Sequence, residues 1–255
     1  MAVKVSLPPG SNLFSSFVPR QPMDLPRYFR PAELANPLGL VHLGGELSLP
    51  WLIDAYRHGI FPWPHGRRNL MWFSPDPRAV LEFDRLYISR RLARTIRSGR
   101  FTVTCDRDFS GVMVGCGTAN GRHQNTWITP EMLQAYVALH DFGMAHSIEV
   151  WHDGMLVGGT YGVEVGGVFC AESMFHLMTD ASKVALVALV QHLKARGFRT
   201  LDIQQLTPHT ASMGASEIPR SEYLARVRAE RDLMVSFGTE LQFDPASVVA
   251  VPRFK

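Results

Sequence analysis

The sequence predicts an α+β fold in which a mixed, mostly antiparallel sheet packs against helices. Three segments rich in β-forming residues follow one another between positions 146 and 174, separated by an Asp-Gly turn at 153–154 and a Gly-Gly turn at 166–167. Such turns join antiparallel strands because they supply the positive φ angles of tight hairpins. An apolar helix over 184–193 and an extended segment over 200–204 come next, so the helix is expected to pack on the sheet.

The remaining elements are predicted from capping residues, apolar periodicity and β-propensity. In the central region the strands cover 146–151, 155–164 and 168–174, and the helix begins near Asp180 or Ser182 and ends at Gly197. The other predicted helices start near 48, cover 87–99, 108–115 and 130–141, and run from 219 past 227; the other strands cover 78–83, 101–104 and the tail at 248–254.

Length and composition predict a globular protein with a short N-terminal arm. The chain has 255 residues, 46% of them apolar, which is enough for a full core. We predict an irregular proline-rich arm over 1–35, a small N-terminal domain over 36–77 and a larger catalytic domain over 78–255. The absence of a long apolar run or a leader-like start argues against a membrane or secreted protein. Three cysteines without metal-like spacing suit a reducing compartment, so a cytoplasmic location is expected.

Positive charge is concentrated on one predicted helix. The net charge of +3 does not by itself imply a nucleic-acid partner. Within 87–99, however, Arg90, Arg94 and Arg97 share one side while apolar residues line the other. Two interpretations are open: a solvated face, or a surface for the phosphates of a nucleic acid, which the guanidinium fork suits.

Three polar residues near strand ends indicate a site. Asp202 and Gln204 share one face of the strand over 200–204, and Glu172 lies near the end of the strand over 168–174. Each could be a solvated residue at a sheet edge. All three together, beside a buried helix, favour a polar site in a cleft of the sheet, because buried polar groups need partners.

The order of meander, helix and strand looks like the core of the acyl-coenzyme A N-acetyltransferase superfamily. Those enzymes hold pyrophosphate on a glycine-rich turn before the central helix. Here that turn, residues 176–183, reads HLMTDASK and contains no glycine. A coenzyme A-dependent N-acetyltransferase is therefore an alternative function, but the glycine-rich turn that would bind its pyrophosphate is missing. A non-catalytic RNA-binding module is another, which would leave the three polar residues without a role.

Several longer strings resemble one family in particular, the leucyl/phenylalanyl-tRNA–protein transferases, over about residues 36–227. The strings are GIFPW (59–63), WFSPDPR (72–78), TWIT (126–129), ESMF (172–175), ASK (181–183), HTAS (209–212) and EIPR (217–220).

The resemblance implies a bacterial enzyme with a small N-terminal domain and an acetyltransferase-like (GNAT-like) domain. It would move leucine or phenylalanine, with methionine as a further candidate, from leucyl-tRNA or phenylalanyl-tRNA to proteins that begin with Arg or Lys. That transfer marks the acceptor for degradation under the N-end rule. Neither a metal nor a diffusible cofactor is implied, and the acceptor stem and 3′ end of the tRNA would be bound in place of coenzyme A.

The resemblance also implies roles for individual residues. Asp202 would orient or deprotonate the attacking amine, either directly or through Gln204, and Gln204 would also hydrogen-bond the reacting centre. Glu172 would bind the acceptor's basic side chain or the aminoacyl amino group. Arg90, Arg94 and Arg97 would contact the acceptor stem. The pocket for the transferred side chain would use Trp63, Trp127, Phe169, Thr160, Leu189, Leu193 and Leu201.

Two features of this sequence affect the implied pocket. Thr160 stands where the family pattern leads us to expect methionine, and leucines occupy positions that can be phenylalanine, which changes the expected width of the pocket. Phe169 and Glu172 are an odd number of residues apart on one strand. They can share a face only if a β-bulge lies between them.

Overall fold

The computed structural model describes residues 27–64, 70–124 and 126–253, without the side chains of 122–124. Of the predicted N-terminal arm, positions 1–26 lie outside these ranges. The α-helices are α1 (Leu49–Arg57), α2 (Arg90–Arg97), α3 (Phe109–Thr118), α4 (Pro130–Asp141), α5 (Ala181–Arg196), α6 (Pro208–Ser212) and α7 (Arg220–Glu230). The strands are β1 (Leu40–Leu43), β2 (Phe61–Pro62), β3 (Met71–Phe73), β4 (Arg78–Val80), β5 (Thr102–Cys105), β6 (Ala145–His152), β7 (Met155–Val165), β8 (Val168–His176), β9 (Thr200–Gln204) and β10 (Ser216–Ile218).

The strands form two sheets. The larger has seven strands in the order β10-β4-β9-β8-β7-β6-β5, and the smaller has the order β1-β3-β2. Every described strand pair is antiparallel except β8 with β9. The predicted α+β fold with a mixed, mostly antiparallel sheet is therefore confirmed.

The predicted meander, central helix and following strand are all present. The hairpin turn after β6 has φ angles of 49° at Asp153 and 75° at Gly154, as a two-residue turn requires. Gly197 ends α5 with φ 89°. Asp180 precedes α5, but its side chain does not cap the helix and instead pairs with Arg91.

Other predicted elements need correction. The strand predicted over 78–83 ends at Val80, because a 3₁₀ turn over Phe83–Arg85 follows. The predicted helix over 87–99 begins only at Arg90, where Ser89 caps it by accepting a hydrogen bond from the Leu92 amide. The tail at 248–254 forms no strand within its described part; a single antiparallel bridge joins Val251 to Ile88. Several further elements were not predicted: the small sheet β1–β3, β10, α6 and the 3₁₀ turns at Ala32–Leu34, Ala119–Gln124 and Pro245–Ser247.

The core has two parts, one on each face of the large sheet. The first includes apolar residues of α1, α3, α4 and the small sheet, and it joins Trp72 of β3 to Tyr161 of β7. The second lies between the sheet and helices α2 and α5. No helix in the described ranges is long and apolar enough to span a membrane.

Candidate active site

The candidate site lies at the ends of the parallel pair β8 and β9. Asp202 of β9 is level with Cys170 of β8. Two residues further along β8 the register with β7 shifts: Gly162 pairs with Ala171 and Tyr161 with Ser173, which leaves Glu172 unpaired in a bulge. A bulge re-aims a side chain and bends its strand. Glu172 thereby reaches the open end of the sheet.

Asp202 is fully buried and fully hydrogen-bonded. Arg78 donates to both of its carboxylate oxygens, from Nε to Oδ1 at 2.8 Å and from Nη2 to Oδ2 at 2.6 Å. The Tyr223 hydroxyl donates to Oδ2 at 2.8 Å, and the Gln204 amide N–H donates to Oδ1 at 2.9 Å. A carboxylate that accepts four hydrogen bonds inside the core has no oxygen left for a substrate amine.

Arg78, the partner of Asp202, makes further contacts that fix its guanidinium group. Its Nη1 donates to the Gly59 carbonyl at 3.2 Å, and the guanidinium lies over the rings of Tyr223 and Phe61, at 4.3 and 4.9 Å from their centroids. Burial would lower the pKa of Arg78, but the carboxylate of Asp202 outweighs burial and raises that pKa. The guanidinium of Arg78 therefore keeps its charge in the core.

Gln204 has an unusual backbone for a strand residue. Its φ is +63°, a left-handed conformation that costs a non-glycine residue about 1 kcal/mol or more. The hydrogen bond from its own N–H to Asp202 compensates for this strain. Its side-chain amide consequently points at Glu172, and Nε2 donates to Glu172 Oε1 at 2.7 Å.

Glu172 is half-buried between Gln204 and a pair of tyrosines. Tyr136 donates its hydroxyl to Oε2 at 3.2 Å, and that hydroxyl is also hydrogen-bonded to the hydroxyl of Tyr56. Burial raises the pKa of Glu172 to about 8, helped by the negative charge of Asp202 and opposed by hydrogen bonds from the two tyrosines. A group with such a pKa can both take up and release a proton near neutral pH.

A cavity of about 210 Å³ opens beside these groups. Aromatic side chains of Phe61, Trp63 and Trp127 form part of its lining, and Glu172 and Gln204 supply polar groups. An apolar cavity of about 150 Å³ suffices to hold a benzene molecule. The cavity can therefore accept a side chain as large as phenylalanine next to a proton-transfer group.

Comparisons with known proteins give the family. A family model described as leucyl/phenylalanyl-tRNA protein transferase matches residues 80–228, and the model of that family's N-terminal domain matches 45–76. A leucyl/phenylalanyl-tRNA–protein transferase from Solidesulfovibrio magneticus is 49% identical over 205 residues, which cover 80% of this chain and 83% of the relative. One from Chromohalobacter salexigens is 51% identical over 191 residues, 75% of each chain. The chain belongs to the leucyl/phenylalanyl-tRNA–protein transferase family. It is an aminoacyltransferase, as the sequence motifs predicted.

Solved structures give weaker resemblances. The C-terminal domain of a putative lysylphosphatidylglycerol synthetase from Agrobacterium fabrum has 12% identity and a TM-score of 0.37, over 73% of this chain and 60% of the other. An N-acetyltransferase-like protein from Streptococcus suis has 11% identity and a TM-score of 0.33, over 63% of this chain and 59% of the other. Nothing about substrate or activity follows from scores this low.

The structure separates the residues that the family resemblance groups into one pocket. Trp63 and Trp127 line the cavity together with Glu172 and Gln204. Thr160 is buried, and its hydroxyl donates to the Ser173 carbonyl at 3.0 Å. The other four pocket residues do not line the cavity and are packed, at most 1% exposed, in the second core cluster: Phe169, Leu189, Leu193 and Leu201.

A bulge is present at Glu172, but it does not bring Phe169 and Glu172 onto one face of β8. Phe169 stacks on Phe237 in the second core cluster, with ring centroids 5.5 Å apart. Glu172 bonds to Tyr136, which belongs to the first cluster. The two side chains therefore lie on opposite faces of β8.

The arginines of α2 are exposed as predicted from their spacing, but they are not equivalent. Arg97 donates to the Val248 carbonyl at 2.6 Å, so the C-terminal tail holds it. Arg91 pairs with Asp180 at 2.9 Å. Arg90 and Arg94 have no ion pair with any residue that the structure describes.

Sequence reasoning did not single out four residues of the site: Tyr56, Arg78, Tyr136 and Tyr223. Arg78 carried a signal, since it ends the string WFSPDPR and begins a predicted strand, where a charged residue next to a core needs a partner. The tyrosines sit on helices among apolar residues and have no local pattern that distinguishes them from core residues.

Proposed function

We propose that this aminoacyltransferase moves leucine, phenylalanine or methionine from aminoacyl-tRNA to proteins that begin with Arg or Lys. Acceptors modified in this way would be marked for degradation in the cytoplasm. The observation that carries the proposal is the cavity in which tryptophan side chains face a carboxyl group whose pKa is about 8. The apolar wall can bind the transferred side chain, and the carboxyl group can carry out the proton transfer that the reaction needs.

The aromatic wall supports binding of an apolar aminoacyl group. Trp63 and Trp127 are half-buried, so each presents a ring surface to an incoming ligand. Apolar side chains that differ by a methylene are distinguished by only about 1–3 kcal/mol in such a pocket. A wall of this kind accepts leucine, phenylalanine and methionine and excludes charged side chains.

The proton transfer is assigned to Glu172. In the reaction the acceptor's α-amino nitrogen attacks the ester carbonyl carbon, an amide bond forms, and the bond to the ribose oxygen of tRNA breaks. The amine must lose a proton and the ribose oxygen must gain one. Glu172 can do both because its pKa is about 8 and it lines the cavity.

The raised pKa favours proton transfer over recognition of the acceptor's basic side chain. A bound guanidinium or ammonium group would lower the pKa of Glu172, because an opposite charge stabilises the carboxylate. Glu172 would then no longer exchange a proton near neutral pH, where its pKa of about 8 in the free protein allows it. We therefore favour proton transfer over the recognition role that the resemblance left open.

Gln204 and Asp202 support that chemistry in different ways. Gln204 touches Glu172 through Nε2, and its amide oxygen is available to the amine. Asp202 is a positioning residue: it fixes the strained backbone of Gln204 and does not line the cavity. Loss of Asp202 would disturb catalysis through Gln204 even though no oxygen of Asp202 meets the substrate.

Transfer of labelled amino acids tests the proposal. Leucyl-, phenylalanyl- and methionyl-tRNA are supplied with peptides that differ only in beginning with Arg, Lys or Ala. Product is expected with Arg and Lys acceptors, and the Glu172→Gln variant should lose most of the rate. Transfer to none of the acceptors, by a folded protein with intact tRNA, would overturn the proposal. Acetylation by acetyl-coenzyme A in that case would revive the acetyltransferase alternative.

A further inference from the structure

A second cavity, of about 160 Å³, lies where α2, α5, α6 and the C-terminal tail meet. It is lined by Tyr87, Ser89, Leu92, Lys183, Ser212, Met213 and Arg253. Two of these residues are cations and none is acidic. Arg253 lies beyond residue 228, where the family match ends.

The two cations have no carboxylate partner within the described part of the chain. Lys183 is half-buried in the first turn of α5. Asp180, three residues earlier, is already paired with Arg91 at 2.9 Å. Arg253 is exposed, so of the two cations only Lys183 is partly desolvated. Two unpaired positive charges beside one cavity repel each other unless an anion lies between them.

The position of Arg253 is built into the fold. Val251 and Ile88 exchange backbone hydrogen bonds of 2.9 and 3.2 Å, which pins the tail beside the start of α2. The guanidinium of Arg253 then lies 4.9 Å from the ring centroid of Tyr87. Stacking of this kind orients the guanidinium fork and leaves its N–H groups free to donate.

Ser89 adds a neutral donor to the lining. The Ser89 oxygen accepts from the Leu92 amide at 3.1 Å, so its own O–H can donate to a ligand. His209 of α6 does not line the cavity, and its buried Nε2 atom has no hydrogen-bond partner among the described residues. Burial lowers the pKa of His209, and the positive charges of Lys183 and His176 lower it further. The region therefore carries a positive potential and retains unused hydrogen-bonding groups.

The second cavity shares α6 with the first cavity and the start of α2 with the arginines. Thr207 lines the first cavity and Ser212 the second, at the two ends of α6. Five helical residues span about 8 Å, so the cavities are one or two nucleotides apart. On its other side, Ser89 is followed directly by Arg90. The second cavity is therefore connected through the chain to the acyl-group cavity by α6 and to the arginines by the start of α2.

We propose that this cavity binds a backbone phosphate in the 3′ single strand of aminoacyl-tRNA, held by Lys183 and Arg253. The inference rests on the proposed function, since it places the ribose ester in the first cavity. It assigns a binding role to the C-terminal tail. Phosphate is the anion that matches a guanidinium fork beside a lysine.

The test compares two donors that carry the same ester. Phenylalanyl-tRNA has the phosphates, and phenylalanyl-adenosine has none. Lys183→Gln and Arg253→Gln are measured with both donors. Lys194→Gln is the matched control for Lys183, because Lys194 lies on the same helix and pairs with Asp84 on the surface. The ratio of kcat/KM for the two donors is expected to fall about tenfold in each cavity variant and to stay constant in the control.

Binding of uncharged tRNA provides a readout that does not require transfer. Each lost single-strand phosphate contact should lower the slope of log Kd against log salt by about 0.7. Arg253→Lys and Lys183→Arg, which keep the charge, should retain most of the slope. Equal losses on both donors, or an unchanged salt slope in both Gln variants, would overturn the phosphate site. Tight, salt-dependent tRNA binding without any transfer would instead overturn the proposed function and leave the site standing.

Discussion

Arg78 and Asp202 form a buried, bidentate ion pair between two neighbouring strands, 124 positions apart in the sequence. Both side chains are at most 1% exposed. The pair joins β4 to β9, and through the Gln204 amide it holds the backbone from which the Gln204 side chain reaches Glu172. The buried charges therefore organise the site without taking part in it.

The effects of substituting Arg78 and Asp202 on the free energy of unfolding should be strongly coupled. Asp202→Ala leaves an unpaired buried guanidinium, and Arg78→Met leaves an unpaired buried carboxylate, so each should lower the free energy of unfolding by about 3–5 kcal/mol. The double variant should be far more stable than the sum of the two losses predicts. Urea denaturation of the four proteins measures the coupling. Additive losses would show that the pair contributes nothing as a unit.

The pH dependence of transfer should reveal Glu172. Below pH 7 the wild-type kcat/KM requires deprotonation of both the acceptor amine, whose ordinary pKa is about 8, and Glu172, whose pKa is also about 8. The plot of log kcat/KM against pH should then rise with a slope of about 2. In Glu172→Gln only the amine titrates, and the slope should fall to about 1 at a lower overall rate. A slope that is the same in both proteins would exclude Glu172 as the proton acceptor.

The raised pKa of Glu172 should also affect the pH dependence of the free energy of unfolding, which can be measured without any substrate. The folded protein keeps the proton on Glu172 up to about pH 8, whereas the unfolded chain releases it near 4.5. Between these values the folded state binds more protons, so this carboxyl makes stability fall as pH rises, until the effect levels off above pH 8. Glu172→Gln should become progressively more stable relative to wild type across that window. Denaturation curves at pH 5, 7 and 9 measure the difference, and parallel trends would contradict the raised pKa.

The arginines of α2 should differ in their contributions to tRNA binding. Arg90→Gln and Arg94→Gln remove exposed cations with no described ion pair. Each should lower the slope of log Kd against log salt by about 0.9 if it contacts a duplex phosphate. Arg91→Gln is the control, because the Arg91 guanidinium already pairs with Asp180 at 2.9 Å. Slopes that fall equally in all three variants would indicate a diffuse charge effect and no specific contact.

Substitutions of Leu189 and Trp127 should distinguish a residue that packs in the core from one that lines the substrate pocket. Leu189→Ala empties a fully packed position and should lower the free energy of unfolding by about 2–5 kcal/mol, with the preference among leucine, phenylalanine and methionine unchanged. Trp127→Ala should alter that preference and raise KM for aminoacyl-tRNA about tenfold, with a smaller loss of stability. Denaturation and transfer assays on both variants are required. A changed preference among the three amino acids in Leu189→Ala would indicate that the α5 leucines do line the substrate pocket.

Some features of the protein follow from the sequence by itself. The meander β6–β8, the helix α5 and the strand β9 were predictable because turn residues, apolar periodicity and helix stops act between neighbours in the chain. The alternation that turns Asp202 away from Leu201 and Ile203 was predictable for the same reason: both apolar residues face the second core cluster. The longer motif strings were sufficient to predict the family.

Only the tertiary structure decided how these parts meet. It made Arg78 the partner of Asp202 because β4 lies beside β9 in the sheet, and it set Glu172 in a bulge that aims the carboxyl group at Gln204. It also packed Phe169 and the three leucines into the second core cluster, while Trp63 and Trp127 stayed open to the cavity. Strand order and bulge position depend on contacts between distant segments. A pattern that repeats every two or four residues carries no information about them.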